Sequence, residues 1–486
     1  MSGSRSAGGG TPMSGNGGRR PQEPDIAAEL LDAFAAVLRG ELLRPGDAGY
    51  DPARELWNGM IDRHPALVAR CHGDADVVAA VHFARDHGLP LAVRGGGHGV
   101  AGQALCDGGL VADLSEMTRV EVDPEGLTVR AQGGCTLGDV DRETQRHGLA
   151  TPLGVVSATG IAGLTLSGGI GWLRRKYGLS CDNLVSVQMV TAEGRLIAVD
   201  EDTHADLFWA VRGGGGNFGV ATVLEYRLHP VGPQVHFCHV YYPADRARDV
   251  LRACERHVAE MPGQAAPIGV LGRIPAVGDF PPETHGQLFV AVLALFPGDP
   301  EEGERALRPL REVAEPFADL SGTMPYTDAQ QVLDEDFPNG RRYYWKSVNA
   351  PELGDELIEH LVVRAAASPS PDSTIDVWFQ GDAMARVGEQ DTAFANRGMP
   401  YLFGIEGNWD EENDTAANVA WVRDTFSDLS SYSSGGVYLN FPGFLEEGER
   451  LLHEGYGPNL ERLAAVKAAH DPGNLFHHNA NIRPST

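Results

Sequence analysis

Three glycine-rich runs in the first half of the chain constrain it more than any other feature: "RGGGHG" at 94–99, "GIAGLTLSGGIG" at 160–171 and "RGGGGNFG" at 212–219. Glycine supplies positive φ and lets backbone approach a ligand closely. Successive N–H groups in such a loop form a concave nest for an anion such as a pyrophosphate. One run alone reads as a turn. Three together call for a large phosphate-bearing cofactor. The middle run is no Rossmann fingerprint. It lacks the GxGxxG spacing directly after a strand and an acidic residue about 20 positions on.

The chain has 486 residues, enough for two or three packed units. Hydrophobic residues make up 42% and charged ones 22%, a globular balance. The net charge of −28, unbroken by any basic block, argues against nucleic acid and anionic membranes as partners. No apolar stretch is long enough to span a bilayer. Residues 1–24 are Gly/Ser/Pro-rich with no apolar segment behind Arg19 and Arg20, which reads as a disordered tail and a cytoplasmic protein. The six cysteines are scattered without a CxxC pair, so neither a metal site nor a disulfide framework is expected.

Periodicity predicts a helix in "DIAAELLDAFAAVLRG", then strand, helix, strand up to the first loop, with Asp74 as N-cap of the helix. A strand pair turns at 123–126 and a helix follows. Strand, turn, strand succeed the second loop. Near Gln234 the character changes to helices ("ADRARDVLRACERHVAEM", "DELIEHLVVRAAAS") and alternating strands ("GQLFVAVLALF", "STIDVWFQ", "MPYLFGIEGNW", "GGVYLNF"). The last stretch reads as a helix, a Pro-Gly stop and an extended tail. The class expected is α+β, with an antiparallel sheet covered by helices in the second half.

"LAVRGGGHGVAG" resembles the flavin-attachment loop of FAD-linked oxidases of the vanillyl-alcohol oxidase superfamily, with the berberine-bridge-like branch most similar. "TPLGVVSATGIAGLTLSGGIGWLRRKYGLSCDNLVSVQMVTAEG", "DLFWAVRGGGGNFGVAT" and "DPGNLFHHNANIRP" resemble its later flavin segments, in order. The resemblance implies a discontinuous, PCMH-type FAD-binding domain at 25–233, an inserted substrate domain at 234–444 and a C-terminal return at 445–486. It implies FAD contacts from Arg94, Gly95, Gly96, Gly97, His98 and Gly99 in the first loop. The second would add Val156, Thr159, Gly160, Gly163, Ser167, Gly168, Gly169, Gly171, Trp172, Cys181 and Asn183. Gly219, Val220, Asn479 and Asn481 would complete the set.

The family histidine of this loop is bonded to the flavin 8α-methyl carbon, and His98 holds its place. A neutral imidazole nitrogen is a nucleophile near pH 7. The alternative is a loop histidine that only hydrogen-bonds. Some members add a cysteine link to the flavin. The alignment puts Val156 there, and Cys181 reads as a small core residue, so one link is expected. Thr159 falls near the reactive edge of the flavin, where a small polar residue permits oxygen to approach.

The reaction implied takes a hydride from an alcohol, hemiacetal, phenol or amine of a small specialised metabolite, with O2 as acceptor. The family base is the second tyrosine of a "YxNY" stretch. Here "YLNF" keeps Tyr438 and Asn440 but has Phe441. A period of two puts Leu402, Gly404, Glu406 and Asn408 on one strand face, making Glu406 a candidate base with its pKa raised by burial. Asp376, Trp378 and Gln380 share another face, and Gln380 is a candidate for orienting substrate. Tyr438 stays a candidate base, and a salt-bridged Glu406 the plain alternative. A carbohydrate or hydroxynicotine-type oxidase, or an oxygenase, are variants. A binding protein that keeps FAD without turnover is the competing class, and steady-state H2O2 formation separates the two.

Overall fold

The computed structural model describes residues 26–486, so the tail expected at 1–24 lies outside the described residues. Besides a two-stranded pairing of Leu149–Ala150 with His229–Pro230, two small sheets come from the first half. One is four-stranded and mixed, with Leu67–Arg70 and Leu91–Arg94 both parallel to Leu110–Asp113. The second is five-stranded and antiparallel, running from Val120–Asp123 through Val220–Arg227 to Leu196–Val199. An eight-stranded antiparallel sheet takes all its strands from between Gln234 and Trp409. The α+β class holds.

The strand Leu288–Phe296, "LFVAVLALF", shows how the large sheet is placed. It is apolar throughout because both faces are covered. Val290, Val292, Ala294 and Phe296 face a core built with Val250 and Leu251 of the helix Ala247–Glu260 and with Leu307 and Leu357 of two others. Phe289, Ala291, Leu293 and Leu295 face the opposite way, into a cluster with Ile170, Trp172 and Leu179 from the glycine-rich half. The sheet is therefore a lid between a helical layer and the loops.

The first two glycine loops touch backbone to backbone. A Cβ on Gly160 would stand 2.4 Å from the Gly96 nitrogen, and one on Gly96 would stand 2.6 Å from the Gly160 Cα. Neither neighbour is a side chain that can swing away. Gly160→Ala is therefore expected to cost roughly 1–3 kcal/mol as an overpacking change. A lower Tm together with less flavin retained in the purified protein would check it.

Two expectations need correction, and two elements were not expected. The helix Asp74–Asp86 begins with Asp74 itself, and Gly73 takes the cap position. The Asp74 carboxylate accepts a bond from Gln188 Nε2 (2.8 Å) rather than capping its own helix. "GGVYLNF" is no strand: Gly435 and Gly436 have φ of 104° and 102°, and Phe441 N closes a turn on the Tyr438 carbonyl at 2.9 Å. Alternation in sequence gave way there to two glycines in conformations that other residues rarely adopt. Its place in the sheet goes to Arg342–Ala350, whose register on Tyr401–Trp409 pairs Trp345 with Glu406. The helix Thr415–Leu429 covers this end of the sheet and was likewise not expected.

Candidate active site

A cavity of about 410 Å³ runs between the glycine loops and the large sheet. On the loop side it is lined by 95–99, by Val156, Thr159, Gly160, Gly163 and Ser167, and by Gly219 and Val220, with Asn479 from the C-terminal segment. Gly97 stands at φ +69°, which turns the chain so that His98 follows into the wall.

His98 is held by aromatic stacking. Its ring lies on Trp57 at 4.0 Å and 17°, and the other face of Trp57 lies on Tyr343 at 3.6 Å and 9°. Trp57 Nε1 donates to the Phe337 carbonyl (2.8 Å). Asn58 next door donates to the carbonyls of Val100 and Tyr343 and accepts from Tyr343 N, so the first loop and the large sheet are laced together. The His98 Nε2 is buried with no partner among the described residues. Burial pushes its pKa down to about 4, leaving the imidazole neutral.

On the sheet side the two strands Thr374–Phe379 and Tyr401–Trp409 present Asp376 and Glu406 to the cavity. Their register pairs Asp376 with Gly404 and Thr374 with Glu406. Gly404 is the gap over which they meet: a Cβ there would stand 3.3 Å from Glu406 Oε1, 3.5 Å from Asp376 Cβ and 3.6 Å from Phe441 Cε2. Asp376 is 8% and Glu406 2% exposed, and Asp376 Oδ1 and Glu406 Oε2 have no partner. Burial drives both carboxyls up, Asp376 to about 7, and the neighbouring Asp376 charge drives Glu406 further. Both therefore hold protons to higher pH than ordinary carboxyls, and they titrate as a pair.

Tyr438 lies on the same cavity, pinned by Ser347 Oγ, which accepts from Tyr438 N at 2.8 Å. Its hydroxyl accepts from Ile170 N (3.2 Å) and from Asn440 Nδ2 (2.7 Å). Burial pushes the phenol up to about 12, so it stays protonated at neutral pH. Phe441 packs edge-on between Trp345 (5.2 Å) and Tyr438 (5.3 Å).

This chain matches the family model described as an FAD binding domain at residues 65–200, and the one described as berberine and berberine like at residues 437–483. An FAD-linked oxidoreductase of Dictyostelium discoideum is 30% identical over 466 residues, covering 94% of this chain and 98% of that protein. The chain belongs to the berberine-bridge-like FAD-linked oxidoreductases. Two further likenesses agree. (R)-6-hydroxynicotine oxidase of Paenarthrobacter nicotinovorans is 29% identical over 464 residues, 92% of this chain and 97% of that one. The crystal structure of a 6-hydroxy-D-nicotine oxidase from Arthrobacter nicotinovorans superposes with a TM-score of 0.81 at 28% identity, covering 92% of this chain and 98% of that one.

The residues of this oxidoreductase fit FAD. Three glycine loops converge on one cavity, and buried polar atoms without protein partners line it: His98 Nε2, Gln103 Nε2 and Asn479 Oδ1. A buried donor or acceptor left unmatched is costly, so such atoms mark where a polar ligand is held. The third loop is braced from the C-terminal segment. Lys467, fully buried in the helix Leu460–His470, donates to the carbonyls of Asn217 (2.6 Å) and Phe476 (2.9 Å) and to Asp471 (2.6 Å). Asn217 in turn donates to the carbonyls of Gly214 and Ala480 and accepts from Ile482 N.

Several expected contacts lie off the cavity. Gly168 and Gly169 take positive φ and accept backbone bonds from Cys181 and Ser180, so they fold the chain behind the loop. Gly171 abuts the Leu153 carbonyl, and Trp172 packs edge-on against Phe237 at 5.1 Å. Asn183 is spent on the carbonyls of Tyr177 and Leu179. Cys181 is a buried core thiol whose pKa burial raises, beside the Arg397–Asp182 pair. Arg94 donates to the Ala53 carbonyl. Asn481 also lies outside the lining. Gln380 follows the end of its strand. Its backbone is tied to Arg175 and Pro400, and its side chain does not reach the cavity, so it is not placed to orient substrate.

Sequence reasoning missed Trp57, Asn58, Gln103 and Asp376. Only Asp376 carried a signal, as the acid on the same strand face as Trp378.

Proposed function

We propose that the protein is an oxidase with FAD bonded covalently through His98, acting on a C–H bond beside an O–H or N–H of a small specialised metabolite. O2 would take the electrons on to H2O2. Bound FAD supplies the hydride acceptor, which is chemistry no side chain provides. The observation that carries the reading is His98. A neutral imidazole with an unpartnered Nε2 stands in the wall of the cavity that the three glycine loops enclose.

The protein's own work is placement and proton handling. The Asp376–Glu406 pair is the proton acceptor for the substrate O–H or N–H, since burial raises both carboxyls and brings Asp376 to about 7, close to the working pH of a general base. Both acids line the same cavity as Phe441, which leaves no tyrosine hydroxyl there. Tyr438 keeps its O–H proton for a ligand, with Asn440 fixing the oxygen. Val156 and Thr159 line the cavity as small side chains that leave room for oxygen.

The test is anaerobic. Purified protein is mixed with alcohols, phenols, hemiacetals and amines, and flavin absorbance is followed. Bleaching by at least one class, with H2O2 formed when air is admitted, is the expected result. A flavin that no class reduces would leave a binding protein instead.

A further inference from the structure

The sheet side of the cavity is built for a charge that the protein does not supply. Its charged lining is Asp336, Asp372, Asp376 and Glu406 against Arg273 and Arg341. Arg273 is committed elsewhere, and Arg341 serves the outer acid Asp372 together with Asp410. Arg273 donates to the carbonyls of Gly286 (3.2 Å) and Ala366 (2.8 Å). Arg341 pairs with Asp410 (2.8 Å) and Asp372 (3.5 Å). Among the described residues no cation is left for the innermost acids, and Asp376 Oδ1 and Glu406 Oε2 stay unpartnered at 8% and 2% exposure.

A buried carboxylate without a counter-charge is costly, and a fold keeps one where a ligand supplies the missing partner. The walls around the pair are mostly apolar and aromatic (Trp345, Trp378, Phe441, Leu402 and Ile268), and the polar neighbour Asn408 is already bonded to Trp345 Nε1 and the Asp372 carbonyl. They offer little that would hydrogen-bond a polyhydroxylated substrate, and aromatic faces attract cations. The whole-chain charge of −28 adds a long-range field that gathers cations.

We infer that the substrate is a hydrophobic amine, bound as its ammonium against the carboxyl pair of Asp376 and Glu406 with its apolar body on the aromatic walls. This rests on the oxidase reading and narrows its substrate class.

The test is binding, not turnover. Flavin-loaded protein is titrated by calorimetry at pH 8 with benzyltrimethylammonium, a cation that can neither lose a proton nor offer an N–H. Neutral 2-phenylethanol and anionic phenylacetate are titrated in parallel. The cation is expected to bind about tenfold or more tightly than the alcohol, the factor a desolvated cation–aromatic contact supplies. Phenylacetate should bind most weakly. The double variant Asp376→Asn with Glu406→Gln should lose the preference while keeping its flavin. Equal or weaker binding of the cation in the unaltered protein would overturn the inference, as would a preference that survives in the double variant. The unaltered protein decides the matter even if the variant fails to fold. A flavin reduced only by neutral substrates would sink this inference and leave the oxidase reading standing. A flavin that nothing reduces would sink the oxidase reading itself.

Discussion

His98→Ala protein should release all of its flavin into the supernatant on acid denaturation, whereas the unaltered protein should release none. Folding should survive, because the imidazole makes one stacking contact and its Nε2 makes no hydrogen bond. The chemistry requires a free lone pair. Burial keeps the ring neutral across the physiological range, so one ring nitrogen keeps a lone pair until the pH approaches about 4. The Trp57–Tyr343 stack fixes the ring plane. Turnover of the variant with noncovalent FAD should fall by about tenfold, some 1.4 kcal/mol of barrier. Equal retention of flavin in variant and parent would remove His98 from the role given to it.

Glu406→Gln and Asp376→Asn should each lower kcat/KM by about 10²–10⁴-fold, the usual contribution of a positioned proton acceptor. The pH profile carries the sign. Below the pair's first ionisation both carboxyls are protonated and neither accepts a proton, so kcat/KM should drop as pH falls through about 7. Both variants should flatten or displace that limb, which a merely structural role would not do. Stability should move the opposite way. The folded pair holds protons that the unfolded chain gives up, so its contribution is complete below the ordinary carboxylate range. It is lost as pH rises through the raised folded values. An amide at either position removes that penalty, and the Glu406→Gln protein should show a higher Tm than its parent at pH 8 with little difference at pH 4. A variant both less active and less stable at pH 8 would mean that Glu406 is a structural acid.

The glycine loops were readable because their requirement is local. Close approach of Gly96 to Gly160 and the positive φ of Gly97 permit no other residue, so the sequence carries them openly. The face of Tyr401–Trp409 was readable for a similar reason: a period of two fixes which side each residue takes, and Glu406 stands out among apolar neighbours. What escaped depends on contacts between distant segments. Asp376 becomes half of a pair only through the register of two strands 30 positions apart. Trp57 is one aromatic in a loop until Tyr343, far along the chain, stacks on it. The glycines at 168 and 169 resembled ligand contacts and instead serve the fold behind the loop, because glycine marks close approach of any backbone, not of a cofactor alone. Gln380 shared a predicted face with Asp376, but the strand ends at Phe379 and the alternation stops with it.

The most direct test of the account is peptide mapping of the acid-denatured, protease-digested protein by mass spectrometry. The account predicts flavin mass on the peptide that carries His98 and on no other, with Cys181 recovered as a free thiol. Flavin found wholly in the supernatant, or bridging to Cys181, would contradict it.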